Sequence, residues 1–263
     1  MNFQRNLWAA FGGLAWRAGA QDLTLHLRHD VVAGRSAPTS ANLAWGYIAA
    51  PGFKLIASLA NAFSVAPLGY LYDTAFGGNP DLKPERARSA ELGAQWSAPG
   101  QRLRATLFRT RVAQEIAYNF TSNVFENIPS TRNSGLELSW DAKLSATDLR
   151  ASLTAQNPTN DSTGQRLVRR SKAFAAVSAT QAVSPGLRLG TALRYAGDRL
   201  DNGGVVLPAY VLADLTAQWD WSPALQVFGR IENLGDSHYQ TAKGYNAAPR
   251  GVFVGLRWTP AGR

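Results

Sequence analysis

The sequence has no cysteine in its 263 residues. Disulfides and thiolate metal sites are therefore excluded, and the composition suits a chain exported through an oxidising compartment. There are three histidines. His26, His29 and His238 have no carboxylate at metal-ligand spacing, and His26 and His29 fall on opposite faces of any strand that holds both. No metal site and no cofactor is expected. The chain also lacks G-x-S-x-G, a phosphate-binding glycine loop and H-E-x-x-H, so no enzyme is expected. Glu85 and Glu91 form a carboxylate pair only on paper, since charges at strand ends are ordinarily solvated. No apolar run reaches about 18 residues, which excludes a transmembrane helix. A membrane stays open, because barrel strands give a far weaker signal per segment. No helical period is sustained over any long window.

Charge of one sign is in excess, at +9 net, carried mainly by arginine. The arginines are scattered one or two per segment and form no stripe, so nucleic acid is not an expected partner. The dominant signal is a period of two. Leu23, Leu25 and Leu27 alternate with Thr24, His26 and Arg28. Leu187, Leu189, Thr191, Leu193 and Tyr195 alternate with Arg188, Gly190, Ala192 and Arg194. Val252, Val254, Leu256 and Trp258 alternate with Phe253, Gly255 and Arg257. Segments of this kind are strands with one wet face. The pattern predicts an all-β chain of about 13 antiparallel strands, at 6–18, 21–30, 39–49, 53–64, 86–97, 101–118, 124–141, 147–157, 166–182, 186–197, 208–221, 224–233 and 250–259. The alanine-rich stretch 171–183 is ambiguous alone and reads as a strand from its neighbours. Most segments approach the ten or so tilted residues that cross a bilayer.

The connections alternate between short and long. The short ones are "RAGAQ", "AAPGF", "SAPGQ", "AKLSAT", "VSPGL" and "WSPA", with Pro-Gly at 51–52, 99–100 and 185–186. Proline fixes φ in a turn and glycine supplies positive φ. The long ones are 31–38, 65–85, 119–123, 158–165, 198–207 and 234–249. Trp16, Trp96, Trp140, Trp219, Trp221 and Trp258, six of the eight tryptophans, lie near a short turn or the C-terminus. Tight turns and tryptophans on one rim with long loops on the other describe an outer-membrane barrel. A soluble β-sandwich with core tryptophans is the alternative. The first twenty residues resemble a secretory signal in charge and in Ala18-Gly19-Ala20, but their alternation reads as a strand.

Three motifs carry a family resemblance. "NPDLKPERARSAELG" at 79–93 resembles the loop-to-strand signature of TonB-dependent outer-membrane receptors. "RIENLGDSHYQ" at 230–240 resembles their penultimate-strand motif, with Gly235 where phenylalanine is usual. "GYNAAPRGVFVGLRW" at 244–258 resembles their last loop and strand, nearest the cobalamin (vitamin B12) receptor branch. The resemblance implies a Gram-negative outer-membrane receptor that imports a large scarce ligand by TonB-coupled transport through a plug inside about 22 strands. Residues 1–263 are then expected to be the C-terminal portion of such a barrel, an incomplete, open sheet without plug domain or TonB box. Partners implied are cobalamin, or a ferric siderophore as the alternative, the TonB complex through the plug, and outer-membrane lipid and lipopolysaccharide. A substrate-binding arginine sits in a Leu-x-Arg-Arg-x-Lys context in cobalamin receptors. "LVRRSK" supplies Leu167, Arg169, Arg170 and Lys172, and Arg169 takes that position. Its fork suits amide carbonyls or a phosphate of the ligand, or a lipopolysaccharide phosphate. The loop 198–207 departs from the branch in having no tyrosine. Pro80 and Pro84 stiffen the descent of the longest loop into its strand, or simply end it.

Overall fold

The computed structural model describes residues 4–32 and 39–260. Met1 and positions 33–38 of the expected connection 31–38 lie outside the described residues. The chain runs through β1 (Leu7–Ala18), β2 (Gln21–Val32), β3 (Thr39–Ala50), β4 (Phe53–Ser64) and α1 (Leu68–Tyr72). A 3-10 turn (Thr74–Phe76), β5 (Glu85–Ala98), β6 (Gln101–Asn119), β7 (Val124–Leu144), β8 (Thr147–Gln156) and β9 (Thr159–Asn160) follow. Then come β10 (Ala173–Ser184), β11 (Leu187–Ala196), β12 (Arg199–Leu200), a 3-10 turn (Asn202–Gly204) and β13 (Val206–Leu207). The last elements are β14 (Tyr210–Ser222), β15 (Leu225–Glu232), β16 (Gln240–Ala242), β17 (Tyr245–Asn246) and β18 (Gly251–Trp258). One sheet of 14 strands takes the order β1-β2-β3-β4-β5-β6-β7-β8-β10-β11-β14-β15-β18, with β9 beside β7. The order has two ends, β1 and β18, as expected of an open segment of a barrel.

Contacts divide the chain into two compact units. The first comprises Met1–Gln95, Thr106–Gly135 and Asn157–Arg166. Here the register aligns the alternating leucines into rows. Leu14, Leu25, Leu43 and Leu59 stand directly opposite one another across β1 to β4, and Trp16, Leu23, Trp45 and Ala57 form the next row. The other face carries ion pairs, Lys54–Asp22 at 2.7 Å and Arg28–Asp30 at 2.7 Å. Residues directly opposite share a face, so a one-residue slip would exchange these two surfaces. Trp45 stands level with Trp16 and donates to the Gln21 side chain at 3.2 Å. It therefore joins the tight-turn tryptophans. Counting along β3 alone misses this, because neighbouring strands are staggered.

The second unit comprises Trp96–Ala105, Leu136–Gln156 and Leu167–Arg263. One face holds the rows Ala151–Val177–Leu193–Ala213 and Leu187–Trp219–Val227–Leu256. The opposite face holds Arg194–Asp214 at 2.6 Å, Arg102–Asp141 at 2.8 Å and Arg188–Asp220 at 3.6 Å. At the Pro-Gly turns Gly52, Gly100 and Gly186 all have positive φ, as the turn chemistry requires.

Two expectations are corrected. The strand expected at 166–182 begins only at Ala173. Arg169 has φ +58, which no strand tolerates, and its N–H donates to Leu200 O at 2.6 Å. The buried Ser171 hydroxyl then lies 2.9 Å from the carbonyls of both Ala173 and Gly197 and starts the ladder. The connection 119–123 is not a long loop. β6 and β7, of 19 and 21 residues, extend to a tight turn at its tip, so the length resides in the strands.

Candidate functional site

In the second unit, connections opposite the tight turns are bound together by side chains that replace backbone partners. Asn233, 5% exposed with φ +50, shapes the connection after β15. Its amide donates to Ser237 O at 3.0 Å, its carbonyl accepts from Ser237 N–H at 2.8 Å, and its own N–H donates to Asp214 at 2.9 Å. Asp236 accepts from Arg250 N–H at 2.8 Å. The Asn and Asp of "ENLGD" are there because short polar side chains hold irregular backbone in place.

Asp201 is the centre of the cluster, 1% exposed. It accepts from Arg169 Nε at 2.9 Å, from Asn202 N–H at 2.7 Å and from Lys243 N–H at 2.5 Å. It thus ties residues 167–172, the β12–β13 hairpin and the β16–β17 hairpin to one carboxylate. Burial pushes this carboxyl up, but the N–H groups of Lys243 and Asn202 and the Arg169 guanidinium outweigh it and hold the group below the ordinary carboxylate range. Beside the clamp, Arg199 lies over the Tyr210 ring at 5.1 Å, and Tyr210 meets Tyr239 with ring centres 4.2 Å apart. The sequence reading singled out Arg169 and missed Asp201, Arg199, Tyr210 and Tyr239. "DRLDNGG" was legible as part of the long connection 198–207, but the partners of Asp201 come from 32 and 42 residues away.

In the first unit the connection 65–85 is folded down onto the β6–β7 hairpin. Leu71 and Leu82, each 1% exposed, form a small core with Ala66, and Leu68, Ile116 and Phe125 pack against it. Tyr70 stacks on Phe125 at 3.9 Å, and Tyr118 meets Phe125 edge-on at 5.1 Å. The motif residues act as anchors. Asn79 donates to Phe125 O at 2.9 Å, Lys83 N–H donates to the Asn127 side chain at 2.8 Å, and Glu85 accepts from Ile116 N–H at 2.8 Å. The loop is thus held by side-chain pins as well as by its prolines. Asp161 joins the segment 157–166 to Arg111 and Arg132, each at 2.9 Å. No group of three or more His, Asp or Glu side chains that could hold a metal occurs among the described residues.

A family model described as "TonB dependent receptor-like, beta-barrel" matches residues 1–234. The chain belongs to the TonB-dependent receptor β-barrel family. This is a family of outer-membrane receptors and transporters, not of enzymes. The chain is 29% identical over 262 residues to the vitamin B12 transporter BtuB of Vibrio cholerae, covering 97% of this chain and 42% of that protein. It superposes on a variant of the ferric enterobactin receptor PfeA of Pseudomonas aeruginosa with a TM-score of 0.82 at 19% identity, covering 97% of this chain and 45% of the other. The copper transporter OprC gives a TM-score of 0.83 at 16% identity, covering 97% and 47%. These two likenesses are of fold alone. The chain spans less than half the length of each of these relatives. For a TonB-dependent receptor the tight-turn rim is the periplasmic side and the long connections are extracellular, so each cluster above lies in extracellular connections.

Proposed function

We propose that this chain is the C-terminal portion of a receptor barrel that imports cobalamin, driven by the TonB complex acting through a plug domain carried on the same receptor. One observation carries the choice of ligand: the 29% identity to a vitamin B12 transporter runs over 97% of this chain. In this reading the apolar face of the strands lies against lipid, the charged face lines the lumen, and the outer rim meets lipopolysaccharide. Arg169 is the proposed ligand contact. Its side chain is 43% exposed while its Nε is held by Asp201 at 2.9 Å, so the guanidinium is oriented before ligand arrives. Such preorganisation lowers the ordering cost of binding. A ferric siderophore is the second reading, favoured by the absence of tyrosine from the loop 198–207.

The test is equilibrium binding to the purified receptor carrying this chain. Cyanocobalamin is expected to bind, and Arg169→Ala to weaken it about five- to a hundredfold, for a charge-assisted donor worth about 1–3 kcal/mol. Binding of a ferric siderophore with none of cobalamin moves the assignment to the second reading.

A further inference from the structure

Arg199 is 6% exposed, and its Nε and Nη2 have no hydrogen-bond partner among the described residues. It forms no ion pair among them. The nearest clamp carboxylate, Asp201, is already committed to Arg169, Asn202 and Lys243. The guanidinium lies over the Tyr210 ring at 5.1 Å, and that ring is itself backed by Tyr239. A cation–π contact offsets only part of the desolvation of a buried cation. Roughly nine in ten buried polar groups in folded proteins are hydrogen-bonded, and Arg199 stands out here by having two bare nitrogens on one guanidinium edge.

The chemistry of a partner for it follows from which atoms are bare. Nε and Nη2 form one edge of the guanidinium plane and present two parallel N–H groups. That fork matches two oxygens of a carboxylate or phosphate. An oxyanion supplies both acceptors and the counter-charge together, whereas water supplies acceptors only. Besides Arg199, the stretches 167–172, 197–209 and 233–250 contain five Lys and Arg against three Asp. We propose that Arg199, stacked on Tyr210, contributes this bare edge to an oxyanion site in the extracellular connections, and that it takes a phosphate group. The site is separate from the proposed Arg169 contact and holds whichever ligand the receptor imports. The phosphate comes either from solution or from a lipopolysaccharide headgroup.

The experiment measures thermal unfolding of the receptor carrying this chain, extracted in detergent and exchanged into phosphate-free buffer. Inorganic phosphate is titrated in one arm. Lipid A is added in the other, with dephosphorylated lipid A as control. The expected result is a saturable rise of about 2–4 °C in the wild-type midpoint. Arg199→Met, which removes the charge, loses the rise, and Arg199→Lys, which keeps the charge but not the fork, loses most of it. In phosphate-free buffer Arg199→Met is expected to be at least as stable as wild type, since it removes an uncompensated buried charge. Should Arg199→Met fail to fold, Arg199→Lys and broadening of the phosphate ³¹P resonance by wild-type protein carry the same decision. A rise with phosphate alone assigns a free anion, and a rise with lipid A alone assigns the lipid headgroup. No rise in either arm, or equal rises in wild type and Arg199→Lys, overturns the proposal and leaves Arg199 satisfied by interior water.

Discussion

Asp201 shows how one side chain can organise a surface that has little core beneath it. Its three donors come from three separate stretches of chain. Asp201→Asn keeps the shape but loses the charge and mispairs at least one donor. The expected destabilisation is about 1–3 kcal/mol, with faster amide exchange at Asn202 and Lys243. The pH dependence follows from the sign of the shift. The folded carboxyl titrates below its unfolded value of about 3.9, so the unfolded state takes up the proton first. The stabilisation is therefore fully present above that value and is lost as pH falls through the folded one. Wild type and Asp201→Asn should differ by a constant amount from neutral pH down to about 4, and converge below it. A difference that instead widened on acidification would contradict the clamp. Arg169 was legible in the sequence as a charged position in "LVRRSK", but its left-handed backbone and its bond to Asp201 were not, because both depend on residues far along the chain.

The β6–β7 hairpin shows the same limit for an element. Both strands were legible from alternation at nearly their full length, 101–118 and 124–141, yet 119–123 was grouped with the long connections, because its polar composition does not distinguish a tight turn from a long loop. The extended hairpin is the surface on which residues 65–85 pack. Gly77 lies against the hairpin tip: it has φ +74, its carbonyl accepts from Phe125 N–H at 2.9 Å, and a Cβ there would clash with Asn123 O. Gly77→Ala should cost at least about 1–2 kcal/mol from the left-handed backbone alone. It should also release the loop from the hairpin, read as protease cleavage within 65–85 that the wild type resists. Unchanged cleavage would mean that the Leu71–Leu82 core holds the loop without that contact.

At the largest scale, the decisive property is that the long strands alternate an apolar face with a polar or charged one and that, within each unit, register carries those faces from strand to strand. In the membrane Leu189 and Leu193 should meet lipid, while Arg188 and Arg194, paired with Asp220 and Asp214, should face the lumen. Nitroxide labels at the four positions in a bilayer should show high oxygen accessibility at the leucine sites and low at the arginine sites; the reverse order would invert the barrel. The sequence by itself determined the strands, their faces, the tight-turn rim with its tryptophans and the family motifs. All of these arise from local causes: a period of two, the fixed φ of proline, the freedom of glycine and the amphipathic tryptophan ring. Only the tertiary structure decided where β10 begins, that Trp45 joins the tryptophan rim, that Asp201 clamps three connections and that the buried Arg199 Nε and Nη2 have no hydrogen-bond partner among the described residues. These depend on the stagger between neighbouring strands and on side chains brought together from 32 and 42 residues apart, and such separations leave no periodic trace in a linear sequence.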